Sequence, residues 1–285
     1  MFNYILYRIG QFVALHLPLN LAYRLAILIS DLRYIFAKQD RRIVKENLQA
    51  IFPEKSERQI RRIRITLFRN FAKYLVDFFR FSKLDREYIK RGIKLENIHY
   101  FDEGISKGKG VIALTAHFGN WELAGVVTAL LEYPLWAVAL PHKYKKVDNF
   151  FNHQREIKGM KVIPLGKAVR QSLNVLKENK ILALVGDRDF SENGIVVDFF
   201  GKPTLLPEGP AAFSLKTGAP IIPAFMLRNS DDSFTFKLEK PIEFIATADK
   251  YKDLMAITTQ YKAIIENYIR EYPDQWYMFR RFWVS

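Results

Sequence analysis

Residues 110–122 read GVIALTAHFGNWE. Gly110 to Ala116 form a short, almost wholly apolar run without the alternation of a half-exposed strand, the pattern of a strand buried on both faces. The next six, His117-Phe118-Gly119-Asn120-Trp121-Glu122, change character at once. Gly119 permits a tight turn, and Asn120 can cap a helix that begins at Trp121. A histidine therefore stands at the carboxyl end of a buried strand, where open α/β sheets gather their chemistry.

The same grammar continues downstream. Apolar segments at 135–140, 160–164, 181–185 and 221–227 predict strands, and 234–238, which alternates, predicts an edge strand. Between and after them, 121–131, 148–158, 169–178, 207–217 and 253–271 predict helices. The fold class is α/β, a central mixed sheet covered by helices on both faces. Two regions are expected: residues 1–90, hydrophobic and basic helices, and 91–285, the catalytic α/β part.

The chain has 285 residues, 49% of them hydrophobic, enough for a sizeable core. It has no cysteine, which excludes disulfides and zinc–thiolate sites. A net charge of +14 calls for an anionic partner, and 23 Phe, 14 Tyr and 4 Trp tilt that partner toward lipid and away from nucleic acid. Residues 1–36 are mostly apolar, but Arg8, Arg24, Asp31 and Arg33 interrupt them and Pro18 divides them. No uninterrupted stretch approaches the roughly 18 apolar residues of a simple span. Two helices broken near residues 17–20 are expected, with a hairpin packed on the protein, a monotopic element embedded in the membrane surface and, least favoured, a true span as competing readings. Ser56 and Gln59 have capping-box spacing ahead of a long helix. Ile60, Ile63, Leu67, Phe71, Tyr74, Leu75 and Phe78 line one face of it, and Arg58, Arg61, Arg62, Arg69 and Lys73 the other.

The site chemistry follows from what is present and what is missing. A five-residue separation would set His117 and Glu122 about 140° apart on a continuous helix, so the turn at Gly119 is what can fold them together. Glu122 is then expected to accept a hydrogen bond from one imidazole nitrogen and leave the other to take a proton. The competing reading has His117 only packing at a strand end. No G-x-S-x-G elbow occurs, so a base without its own nucleophile suits direct activation of a substrate hydroxyl for acyl transfer. No HExxH spacing or nucleotide fingerprint occurs either, and neither metal nor cofactor is expected. Asp187, Arg188 and Asp189 follow the strand ILALV and are expected on the same rim, positioning substrate or forming an ion pair. Phe199 and Phe200 could face an acyl chain or belong to the core, and Asn120 joins the substrate-binding candidates.

HFGNWE resembles the H-x4-D/E motif of the glycerolipid acyltransferases and, in its HFxxWE form, that of the bacterial lipid A biosynthesis lauroyl and myristoyl acyltransferases. The resemblance continues through Gly186-Asp187-Arg188-Asp189, Gly194, Phe199-Phe200-Gly201, Gly209-Pro210-Ala211, Thr217 to Pro223, Gln275-Trp276 and Arg280-Arg281-Phe282-Trp283, covering roughly residues 105–283. It implies a glycerolipid-acyltransferase-like fold. It also implies an enzyme at the cytoplasmic face of the bacterial inner membrane that moves a fatty acyl chain from acyl carrier protein to a hydroxyl of a lipid A precursor. Phosphatidylinositol mannoside acyltransferases, which use acyl-CoA and a sugar hydroxyl, are similar in the same pattern, and a non-enzymatic basic membrane-binding protein is the alternative of another class. Arg155 lies where the resemblance implies a functional arginine. Glu208, in PEGP, resembles the PEG loop of the wider superfamily, although Pro210-Ala211 replaces its Thr-Arg. Arg280, Arg281 and Trp283 would suit an anionic surface.

Overall fold

A computed structural model describes residues 2–189, 194–247 and 249–283. The apolar N-terminus forms α1 (Phe2–His16) and α2 (Leu19–Phe36), separated at Pro18, which lacks the N–H that would continue the first helix. A further helix, α3 (Lys38–Ile51), turns Ile43, Val44, Leu48 and Ile51 inward; its many charges mask this stripe in the sequence. Ser56 opens α4 (Glu57–Phe79) with a complete capping box, the Ser56 N–H donating to Gln59 Oε1 at 2.8 Å and the Gln59 N–H to Ser56 Oγ at 3.4 Å. Of its predicted apolar face, Ile60, Leu67, Tyr74 and Phe78 are buried.

The chain then runs through α5 (Arg86–Gly92), β1 (Ile93–Glu96), α6 (His99–Ser106), β2 (Val111–Thr115), α7 (Trp121–Leu130), β3 (Leu135–Ala139), α8 (Lys145–Glu156), β4 (Lys161–Pro164), α9 (Ala168–Lys177) and β5 (Ile181–Val185). It continues through β6 (Ile195–Phe199), β7 (Lys202–Leu206), α10 (Gly209–Thr217), β8 (Ile221–Arg228), β9 (Phe234–Leu238) and α11 (Lys250–Glu271). The main sheet has the order β1-β9-β8-β2-β5-β3-β4. Neighbouring strands from β8 to β4 are parallel, while β9 is antiparallel to β8 and parallel to β1, so the sheet is mixed. The alternating segment 234–238 is therefore not the edge: β1, a strand of four residues, pairs outside it, and its IKLE is too short and polar to announce itself. β6 and β7 form a separate hairpin, turned by Phe200 and Gly201 at φ 53° and 76°, the left-handed pair of a tight two-residue turn.

Alternate residues of β2 feed two cores. Val111 and Ala113 face α6, α7 and α8, while Ile112 and Leu114 face α9, α10 and α11. α4 joins both, with Ile60, Leu67 and Phe68 in one core and Val76, Phe78 and Phe79 in the other. Because β2, β5, β3 and β8 run the same way, the segments that leave their carboxyl ends share one rim.

Candidate active site

β2 and β5 pair in parallel with Thr115 opposite Val185, and two residues further on the same register brings His117 alongside Asp187. Asp187 is fully buried and its carboxylate is held three times. Its Oδ1 lies 2.9 Å from His117 Nδ1, and its Oδ2 accepts the His117 backbone N–H at 3.0 Å and Trp276 Nε1 at 3.1 Å. Burial works to raise the carboxyl's pKa, but the imidazole's charge and these hydrogen bonds outweigh it and hold it below the usual aspartate value. An ionised carboxylate can only accept, so Nδ1 carries a proton in either state of the ring, and in the neutral ring the basic lone pair lies on Nε2.

Glu122 is not that partner. Its carboxylate is gripped by Arg155 of α8, whose Nε lies 2.9 and 3.1 Å from the two oxygens and whose Nη2 adds a bond at 2.5 Å. Both side chains are nearly buried, at 7% and 12% exposure. α7 starts at Trp121, and the helical first turn carries Glu122 toward α8 and away from Asp187. Burial opposes Arg155's charge, but Glu122 more than restores it, so the guanidinium is fixed as a cation. His142, on the segment between β3 and α8, packs tilted against Phe151 with ring centroids 4.4 Å apart; partial burial and the charge of Arg155 shift it toward the neutral form. Trp121 itself meets the His117 ring edge-on at 5.3 Å and stacks on Tyr74 at 4.6 Å.

The turn between strand and helix is clamped from behind. Gly119 has φ 57°, and a Cβ there would lie 2.0 Å from the Met226 carbonyl oxygen, so only glycine fits. Its N–H donates to the Gln275 carbonyl at 2.8 Å, that of Asn120 to Met226 at 2.8 Å, and that of Phe118 to Ala116 at 2.7 Å. The His117 carbonyl in turn accepts the Tyr277 N–H at 2.9 Å. Every backbone N–H from 117 to 120 is thus engaged, and the turn has none to offer a developing oxyanion.

The whole chain, residues 1–285, matches the family described as bacterial lipid A biosynthesis acyltransferase. The chain belongs to that family. Among curated relatives, this acyltransferase is 27% identical over 220 residues to a phosphatidylinositol mannoside acyltransferase of Mycolicibacterium smegmatis, a match spanning 76% of this chain and 70% of the relative. The Mycobacterium tuberculosis protein of the same description is 26% identical over 222 residues, 76% of this chain and 68% of that one. A lipid A biosynthesis acyltransferase of Haemophilus influenzae is 21% identical over 241 residues, 84% and 74% of the two chains.

The acyltransferase's other sequence candidates are scattered by comparison. Asn120 is buried, caps α7 by accepting the Leu123 N–H at 3.1 Å, and donates to Asp77 at 2.9 Å. Arg188 continues the rim after Asp187; partial burial and the nearby charge of Arg280 weaken its hold on its proton. Asp189 accepts the Gly194 N–H at 3.1 Å. Phe199 has no exposed surface and packs among Trp276, Phe282 and Trp283, a core position with no face left for an acyl chain. Phe200 packs on it at 4.9 Å. Glu208 is exposed immediately before α10 and makes no side-chain cap. Arg280 and Arg281 are exposed, and Arg281 lies 3.7 Å from Glu46. Trp276 and Gln275 were visible as a sequence landmark but not as parts of the site, and Asp77 and Arg228 gave no local signal at all.

Two further surface features accompany this site. A recess of about 400 Å³ between the start of α1 and the start of α8 is lined by Asn3, Tyr4, Lys143, Tyr144, Lys145, Lys146 and Val147. Along α1 and α2, Ile5, Leu6, Ile9, Phe12, Leu21, Leu25, Leu28, Ile29, Leu32, Ile35 and Phe36 are exposed. Among the described residues no helix is long and apolar enough to cross a membrane, and no group of three His, Asp or Glu residues could hold a metal ion.

Proposed function

We propose that this enzyme transfers a fatty acyl chain from a thioester donor to a hydroxyl of an anionic membrane glycolipid, with His117 as general base and Asp187 as the carboxylate that orients it. The observation that carries this reading is the Asp187–His117 pair beyond the carboxyl ends of β2 and β5, in a chain that also exposes an apolar helical hairpin. His117 Nε2 takes the acceptor's hydroxyl proton as the oxygen attacks the acyl carbonyl; Asp187 stabilises the imidazolium that forms; the C–S bond then breaks and the departing thiolate takes the proton back. No protein nucleophile enters. Since the turn's own N–H groups are engaged, charge on the substrate falls to side chains, and we assign Arg188 to it, beside Arg280.

The apolar faces of α1 and α2 lie in the membrane surface without crossing it, on the cytoplasmic side where acyl thioesters are made, and the lysines of the α8 recess meet lipid or donor phosphate. The acceptor is a glycolipid of the phosphatidylinositol mannoside kind with acyl-CoA as donor, a reading favoured by the mycobacterial relatives. The family as a whole and the Haemophilus relative favour a lipid A precursor with acyl carrier protein as donor. Purified enzyme in mixed vesicles, offered each donor with each acceptor and read by mass spectrometry of the lipids, separates the two. Near-normal turnover by folded H117A, or a kinetically competent acyl-enzyme, would sink the mechanism whichever acceptor is used.

A further inference from the structure

Asp77 of α4 is a buried carboxylate that the transfer reaction does not use, yet three side chains from distant parts of the chain converge on it. Tyr23 of α2 donates its hydroxyl to Oδ1; Arg228, at the end of β8, and Asn120 both donate to Oδ2, Asn120 at 2.9 Å. Arg228 reaches Tyr23 as well, at 3.3 Å, and Asp232 at 3.2 Å. Burial pushes the Asp77 carboxyl upward and opposes the charge on Arg228, but Arg228 and the Tyr23 hydrogen bond favour the carboxylate and Asp77 keeps Arg228 protonated, so the ion pair is closed without help. Neutrality therefore does not require Asn120.

What Asn120 receives is an orientation. Its amide oxygen and nitrogen are nearly equal in size, so packing alone does not choose between them. A carboxylate can only accept, so Asp77 takes the nitrogen and turns the oxygen onto the Leu123 N–H that starts α7. A second route ends one residue earlier. The Arg228 N–H donates to Gln275 Oε1 and Gln275 Nε2 donates to the Arg228 carbonyl, both at 2.9 Å, while the Gln275 carbonyl accepts the Gly119 N–H. Gly119 and Asn120, the two residues that aim His117, are thus both referenced to the Asp77–Arg228 pair. Tyr23 brings α2 into it, and the other side of that helix exposes Leu21, Leu25, Leu28, Ile29 and Leu32.

We infer that Asp77 is a positioning residue for the His117 turn, acting through Asn120, and that Tyr23 makes the seating of α2 part of the same linkage. The inference rests on His117 being the base. Removing Asp77 would strand a buried arginine, so the test uses milder variants of the full-length enzyme in vesicles. N120S keeps a capping oxygen but cannot reach Asp77, and Y23F removes one hydroxyl. Both are expected to keep a melting temperature close to wild type and the KM of both substrates, while N120S lowers kcat by roughly ten- to a hundredfold. Y23F lowers it less, and the double variant is no worse than N120S alone because the two act on one amide. Wild-type kcat in both folded variants overturns the proposal, as do losses that simply add, or a raised KM with kcat intact, which would return Asn120 to substrate binding. H117A is assayed alongside. If it keeps near-normal turnover, the base assignment fails and takes this proposal with it; if H117A is inactive while N120S and Y23F are normal, the base stands and the linkage alone falls.

Discussion

An imidazole takes a proton productively when one ring nitrogen is held and the other is presented, and Asp187 does the holding. H117A is expected to cut the initial rate by roughly 100- to 10,000-fold with folding and vesicle binding intact. D187N should cost a comparable factor, since an amide can hold the ring in the wrong tautomer and cannot stabilise the imidazolium. Glu122 belongs to a different class. E122Q leaves the buried Arg155 without its counter-charge, so its first effect should be on stability, roughly 3–5 kcal/mol read by thermal or denaturant unfolding, with activity lost in proportion to folded protein. A large kcat loss in stable, folded E122Q would place Glu122 in the chemistry after all. The sequence could single out His117 from its place after a buried strand, but it could not choose the carboxylate. Glu122 stands five positions away and invites pairing; Asp187 stands seventy away and arrives only through the register of two parallel strands, which leaves no mark on either segment.

At the scale of elements, the hairpin of α1 and α2 keeps few of its large side chains inside. Exchanging Leu25, Leu28, Ile29 and Leu32 for serine should weaken vesicle partitioning by roughly 1 kcal/mol for each side chain that enters the lipid, with little change in unfolding, because none of the four is buried. Unchanged partitioning in flotation assays would assign that face to another partner. The basic side of α4 divides. Arg58, Arg61 and Arg62 are exposed, whereas Arg69 is tied to Asp31 at 2.7 and 2.8 Å and Lys73 to Asp232 at 2.6 and 2.8 Å. Glutamine at the first three is expected to weaken binding to anionic vesicles by about 1 kcal/mol per residue near the surface, less at high salt, and glutamine at Arg69 or Lys73 to act mainly through lost internal pairing. Elements with a strong period or a clean cap, such as β2, β5, α4 and α11, were legible. α3 was hidden by its charge, β1 by its length, and the β6–β7 hairpin because Phe199-Phe200-Gly201 reads as readily as a loop as it does as a turn.

Across the whole molecule, Asp187 ties acid stability to the site. Its folded pKa lies below the ordinary 3.8, so the folded chain binds fewer protons there than the unfolded one. That stabilisation is fully present above 3.8 and disappears as the pH falls through the folded value. D187N lacks it throughout, so the gap in melting temperature between wild type and D187N should be wide near neutral pH and close in acid; a gap independent of pH would refute this. The segment 275–277 that clamps the turn has another consequence, one of timing. Gln275, Trp276 and Tyr277 hold Gly119, Asp187 and His117, while the apolar hairpin, α1 and α2, comes far earlier in the chain and is translated before them. If the hairpin binds the bilayer as proposed, a nascent chain can present it there while residues 275–277 are still inside the ribosome, so that the His117 turn is first locked in a chain already at the membrane.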